Sequence, residues 1–280
     1  MPVTRLIYNI PIELMDVYRG RQVVVRVYEP SKLVSLLTNE DLETLRFAQI
    51  LTLSADMSVL ANWGPGVPVD IVMHEPEAEY RKLYHHAKLA DDRSVRVSIP
   101  VRRGCANAVT VAGSLNFAVK LIVGQPTREN LGEMFEILEI FLHRRSFTQP
   151  VEFYQGTMQS FFRRDDISTW EILEEDPTQF RYVTAEGREL ISPRLLGVEA
   201  SRARDLSTFA SDFEASLLKE HRECARCEFL SHCRGYFKWP NRDYLCAGGI
   251  KEIYRDLENA ARELHDDLAE YSAARGCASV

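Results

Sequence analysis

No stretch of this 280-residue chain reaches the roughly 18 consecutive apolar residues that a bilayer-spanning helix needs. The opening MPVTRLIYNIPIELMD has no basic segment leading into a long apolar run and a small-residue cleavage site, so it does not read as a secretory signal. Positive charge is not in excess: 34 Lys plus Arg face 41 Asp plus Glu, a net charge of −7. That balance lacks the electrostatic footprint of a nucleic-acid or anionic-membrane binder. Arg102 and Arg103 are adjacent, but two such arginines read as solvated. The expected setting is therefore the cytoplasm, with neither nucleic acid nor membrane as partner. Short catalytic signatures are missing too. There is no G-x-S-x-G, no G-x4-G-K-[ST] and no H-E-x-x-H, so nucleophile-elbow, P-loop and zincin chemistries have no support.

What the chain does contain begins with 45% hydrophobic residues, enough for a buried core without disulfide staples. Its first part alternates β-branched runs with helical patterns, which predicts βαβ units and a parallel sheet. Five runs qualify: Arg5 to Asn9, Gln22 to Val27, Val69 to Met73, Val95 to Ile99 and Ala118 to Val123, with a possible sixth at Val151 to Tyr154. Their near-continuous apolar character predicts strands covered on both faces. A helix is clearest from Asn130 to His143, where Leu131, Met134, Phe135, Leu138, Phe141 and Leu142 recur at three- and four-residue spacing, with Thr127 as its N-cap. Units of this length favour a full or partial (β/α) barrel over a short doubly wound sheet.

After about residue 165 the composition turns charged and turn-rich, which places a domain boundary near Arg164 and divides the chain into 1–165 and 166–280. FRYVTAEGRELIS reads as a hairpin around Ala185-Glu186-Gly187. From Gly249 a terminal helix carries Ile250, Ile253, Tyr254, Leu257, Ala261, Leu264, Leu268 and Tyr271 on one stripe, to dock on its own domain or to bind a partner.

Between these lies the densest chemistry. Cys224, Cys227, Cys233 and Cys246 give the spacing C-x2-C-x5-C-x12-C. Two thiolates two residues apart grip one metal from a tight turn, and the later two close a four-sulfur shell, so zinc and a [4Fe-4S] cluster both fit. Cys105 and Cys277 stand apart and read as thiols without a role. His85 and His86 point about 100° apart on a helix and cannot easily share a metal, so they read as a solvated pair. His232, beside Cys233, is redundant once four cysteines fill the shell. Tyr236, Phe237 and Trp239 read as packing around the site, with a partner-facing patch as the alternative.

Cys224-x2-Cys227-x5-Cys233, with Phe229 inside it and Arg234-Gly235 after it, resembles the SPASM domain that follows the radical SAM barrel in peptide- and protein-modifying enzymes. Upstream, VRVSIPV, AVKLIVGQPTRENLGEMFEILEIFL and PVEFY resemble the later half of such a barrel, including the Asn130 at the start of the helix. In that family the pattern is C-x2-C-x5-C-x3-C with a further Cys later, and two auxiliary clusters share these ligands. Phe237 stands where the family's fourth Cys would be, and the upstream C-x9-15-G-x4-C element is missing. The resemblance implies that one auxiliary cluster is lost and the other kept whole, on Cys224, Cys227, Cys233 and Cys246. Also missing is the C-x3-C-x2-C triplet that leaves one iron open to bind SAM; Met73-His74-Glu75-Pro76 is only a ragged echo of the family's Gly-Gly-Glu segment. The resemblance therefore implies a degenerate radical SAM barrel with a SPASM-like tail and C-terminal helix, not using SAM and not catalytic. Such a protein would assist maturation of a peptide or protein, with a true radical SAM enzyme or the substrate itself as partner. The alternatives are an electron-transfer iron–sulfur protein and a zinc-stabilised binding protein.

Overall fold

A computed structural model of the chain describes residues 6–195, 206–220 and 223–276. Its strands are β1 (Ile7–Pro11), β2 (Gln22–Val27), β3 (Leu45–Ile50), β4 (Val69–Val72), β5 (Val95–Pro100), β6 (Ala118–Ile122), β7 (Phe180–Val183) and β8 (Glu189–Leu190). The α-helices of eight residues or more are α1 (Cys105–Ser114), α2 (Arg128–His143), α3 (Glu152–Arg163), α4 (Phe209–Lys219) and α5 (Ile250–Gly276). All eight strands join one sheet in the order β6-β5-β4-β3-β2-β1-β7-β8, parallel throughout except for the β7–β8 hairpin. From β1 to β6 each crossover returns to the next position without reversal, as in a (β/α) barrel and unlike a doubly wound sheet. Side chains from β1 to β6 share one cavity, so the sheet curls, consistent with a partial barrel.

The strand expectations hold in outline and fail in instructive places. β3 went unforeseen because its sequence, LRFAQI, breaks the apolar run with Arg46 and Gln49. Val151 makes a single bridge to Val119, and α3 then starts at Glu152. Phe153, Tyr154, Thr157 and Ser160 are buried at helical spacing over 12 residues, and that period outweighs a four-residue β-like run. Thr127 caps α2 as expected, its hydroxyl accepting from the Asn130 N–H at 3.2 Å.

The central strands are buried on both faces, as β2 from Val23 to Val27 and β4 from Val69 to Ile71 show, but the inner face is polar where an apolar one is expected. Val23, Val25, Ala48, Ile71, Val97 and Val119 form an apolar outer face, whereas Asn9, Arg26, Gln49, Asp70, Arg96, Ser98 and Lys120 point to the inner one. Small barrels ordinarily fill this space with layers of Val, Ile and Leu. Here a hydrogen-bonded chain crosses it instead. Asn9 Nδ2 donates to Gln49 Oε1 (3.4 Å), Gln49 Nε2 to Asp70 Oδ2 (2.7 Å), and Ser98 Oγ and Arg96 also reach Asp70. Arg96 binds Glu152 and Glu174 at 2.9 Å each, and Lys120 pairs with Glu174.

Sheet and core both run across residue 165. β7 adds in parallel to the outer edge of β1, the hairpin turns at Gly187 (φ +80°), and one hydrophobic cluster includes residues from both sides. On α5, Ile250, Ile253, Tyr254, Leu257 and Ala261 are buried, mostly against α3 and α2. Burial then falls off along the stripe: Leu264, Leu268 and Tyr271 are 41%, 48% and 55% exposed, with Leu264 and Leu268 lining a groove beside α3. Among the described residues no helix is long and apolar enough to cross a membrane.

Candidate metal centre

The four cysteines come from three short pieces of backbone. Cys224 sits in the 3-10 turn Glu223–Arg226, and the Cys227 N–H donates to the Cys224 carbonyl at 3.2 Å. Cys233 ends the helical turn Leu230–Cys233 with its N–H on Phe229 O (2.9 Å). Arg234 (φ +46°) and Gly235 (φ +76°) then turn the chain through the left-handed region. That backbone conformation favours glycine at 235, and a Cβ there would come within 2.5 Å of Leu217 Cδ1, which would have to shift. Cys246 is held by the last helix, its carbonyl accepting the Lys251 N–H at 3.2 Å.

The surrounding body fixes this loop. Thr169 Oγ1 donates to His232 O and Trp170 Nε1 to Arg234 O, both at 3.2 Å. Gln125 Nε2 donates to Phe237 O (2.9 Å) and Asn241 O (2.8 Å), and Tyr244 OH to Pro126 O (2.9 Å). The segment after β6 is thus stitched to the cysteine loop.

All four cysteines line one cavity, walled by Phe229, Leu230, Ile250 and Tyr254 and edged by Glu223, Lys238 and Lys251. Cys224 and Cys246 are each 8% exposed, Cys227 and Cys233 half-buried, and none of the four is in a disulfide. Burial pushes the Cys233 thiol up to about 12, with Cys224 and Cys227 adding to the rise. Burial likewise raises Cys246 and Cys224, while Lys238 opposes both shifts. These groups are neutral thiols that become thiolates only with a cationic centre to stabilise them. Lys238 is 4% exposed, and its ammonium donates to Glu223 Oε2 (2.7 Å) and to Tyr244 O. Glu223 Oε2 also accepts the Cys246 N–H at 3.2 Å, so this Lys–Glu pair braces one ligand directly.

By donor chemistry the set fits zinc or an iron–sulfur cluster. By position, no group of three or more His, Cys, Asp or Glu among the described residues stands arranged to hold a metal ion. A tetrahedral zinc shell with Zn–S near ~2.3 Å gathers its sulfurs to about 3.8 Å of one another. The four thiols line one cavity without meeting that arrangement, and a four-iron cube likewise needs one thiolate at each corner.

The other candidates separate cleanly. Phe237 is fully buried, 6.1 Å from Phe153 and 5.2 Å from Tyr236 between ring centroids. Tyr236 and Trp239 are buried as well, so these aromatics are packing and not a partner patch. His86 corrects the solvated-pair reading: it is buried in the 3-10 helix Tyr80–Asp91, its Nε2 2.9 Å from Leu53 O. His232 lies outside the cysteine cavity, its ring tilted against Phe161 with centroids 4.4 Å apart. Cys105 is a fully buried core thiol, raised by burial to about 12. Cys277 lies outside the described residues. Arg102 and Arg103 are exposed and pair with Glu75 and Glu77. In the Met73-His74-Glu75-Pro76 turn, the His74 and Glu75 amides both donate to Glu79 Oε2. Sequence reasoning missed Lys238, Glu223 and the polar inner face; the single charged residue inside each of VDIV, VRVSIP and AVKLI was the available signal. No protein-family model matches the chain, and a search of curated proteins finds no match.

Proposed function

We propose that this chain is a degenerate relative of radical SAM proteins with a SPASM-like tail. In this reading it binds one [4Fe-4S] cluster through Cys224, Cys227, Cys233 and Cys246 and serves without catalysing SAM cleavage. It assists maturation of a peptide or protein in the cytoplasm, alongside a true radical SAM enzyme or its substrate. The observation that carries the reading is the convergence of four free thiols on one cavity at the edge of six serially ordered parallel strands. Two further features agree with it. Phe237, at the position of the missing ligand, is built into the aromatic core, and no cysteine lines the inner cavity of the sheet. The cluster would brace the tail and carry single electrons; the chain's residues hold it, with Lys238 and Glu223 fixing Cys246.

Anaerobic purification with iron, sulfide and zinc analysis tests this. About four irons per chain, a brown protein and no reductive SAM cleavage are the expected results. Stoichiometric zinc with a colourless protein would replace the cluster by a structural metal, and SAM cleavage by the purified chain would end the non-catalytic reading. Electron transfer is the second reading, favoured by the half-buried Cys227 and by Leu245, 76% exposed beside Cys246, which bring the site to the surface. A cluster with no accessible couple by voltammetry would dismiss it.

A further inference from the structure

The cavity at the carboxyl ends of β1 to β6 measures about 460 Å³, within the usual range for small-molecule sites. Its walls are largely apolar and aromatic, with Val24, Leu51, Val72 and Tyr182 among them. Into it projects Arg26, 6% exposed. Its guanidinium donates to Asn9 O (3.1 Å), Asn9 Oδ1 (3.2 Å) and Val183 O, and lies 3.7 Å from the Tyr182 ring centroid. All of these partners are neutral. Among the described residues no carboxylate lies within ion-pair distance of it, whereas Lys120, Arg194 and Arg102 at the same cavity are paired with Glu174, Glu175 and Glu75. Asn9 is held for this task, since its amide donates to Gln49 and its oxygen is left for Arg26.

A desolvated guanidinium without a counter-charge is costly, and the structure offers it an open apolar cavity instead of an acid. Arg181, 9% exposed, also lines the cavity and has no ion pair among the described residues. On β7 it alternates with Tyr182, whose ring meets Arg26, so Arg26 is the unpaired cation on the cavity's face of the strand, and one positive charge matches one negative charge. A dianion would add a second negative charge beside Glu174 and Glu175. The apolar walls call for an apolar body on the ligand.

We propose that this cavity binds a ligand carrying a single carboxylate on an apolar body, with Arg26 receiving the carboxylate. The proposal goes beyond the cluster reading and holds whichever metal the cysteines take.

The test is isothermal titration of the full chain with three probes: N-acetyl-phenylalanine, its neutral amide and phenyl phosphate. The acid should bind at least about tenfold more tightly than the amide, and phenyl phosphate no more tightly than the acid. Arg26→Gln should erase the acid's advantage while Arg26→Lys keeps part of it. Equal binding of acid and amide by the unaltered protein, absence of binding at millimolar probe, or tighter binding of the phosphate would each overturn the proposal. The comparison on the unaltered protein stands even where a variant fails to fold.

Discussion

Arg96 is the most heavily committed charge in the described chain, and replacing it with methionine should cost more than any surface ion pair. Its guanidinium, with a side chain 14% exposed, meets Asp70 at 3.3 Å and Glu152 and Glu174 at 2.9 Å. With Lys120 included, two cations serve three carboxylates, a net of −1. Arg96→Met leaves Lys120 alone against all three. Each lost contact is worth about 4 kcal/mol in bare Coulomb terms at an effective dielectric near 20, much of it offset by the desolvation that Arg96 no longer suffers. Stripping one partner from a buried pair typically costs about 3–5 kcal/mol net. For a chain of this size that lowers the melting temperature by roughly 10 °C. Guanidinium denaturation and thermal melts at pH 7.5 read the loss. Adding Glu174→Gln should recover at least about 1 kcal/mol through relieved repulsion, a coupling that a double-mutant cycle isolates. A single-variant loss under about 1 kcal/mol, or strict additivity of the pair, would refute the view of this cluster as a tightly coupled floor.

Cys233→Ala should remove the metal and its visible absorption, while Cys105→Ala should leave metal content unchanged because Cys105 is enclosed in the core away from the cavity; metal analysis of both variants decides. Lys238→Met should lower a cluster's reduction potential by about 60–120 mV, the order expected for one nearby cation, as read by voltammetry. Acid stability should follow two opposite signs within one network. Burial pushes Glu174 up, yet Lys120 and Arg96 hold it at about 2, so its stabilisation is complete above pH 4.5 and lost as pH falls toward 2. Burial raises Glu152, so it favours the fold below pH 4.5 and opposes it as pH rises through the raised value. Glu152→Gln should therefore stabilise at pH 8 relative to pH 4, and Glu174→Gln should blunt the acid transition; denaturation midpoints across pH check both.

The outline of the fold was legible because five of its six serial strands are apolar on the outer face, and because α2 and α5 repeat at helical spacing, with Thr127 capping α2. The inner face was harder to see. Arg26, Asp70, Arg96 and Lys120 each interrupt an apolar run by one residue, and only the curl of the sheet shows that the interruptions meet. β3 was hidden by the same cause, since Gln49 belongs to that polar chain. The cysteine set was readable from spacing alone, as four thiols within one loop have few ways to avoid a common cavity. Lys238 and Glu223 were not, because their role depends on a hydrogen bond from Lys238 to Tyr244 and from Cys246 to Glu223, formed only when the loop closes.

One residue ties the cysteine loop to the inner cavity. Tyr236 stands three residues after Cys233 and is 1% exposed, and its ring forms part of the cavity wall that also holds Arg26. Arg194 stacks on that ring at 4.2 Å while pairing with Glu175 at 2.8 Å, and Trp170 meets it edge-on with centroids 4.8 Å apart. Whatever orders the loop between Cys224 and Cys246 therefore orders one wall of the cavity. If metal binding fixes the loop, a probe in the cavity should bind more tightly to the metal-loaded chain, and the probe should in turn raise metal affinity by the same factor, because coupling between two sites is reciprocal. A factor of about 5 or more in N-acetyl-phenylalanine affinity between loaded and chelator-stripped protein is the expected result. Tyr236→Phe should preserve it, since the wall is a ring face, and Tyr236→Ala should abolish it. Equal affinities in folded loaded and folded stripped protein would show that the loop holds its shape unaided, and the two centres would then be neighbours without communication.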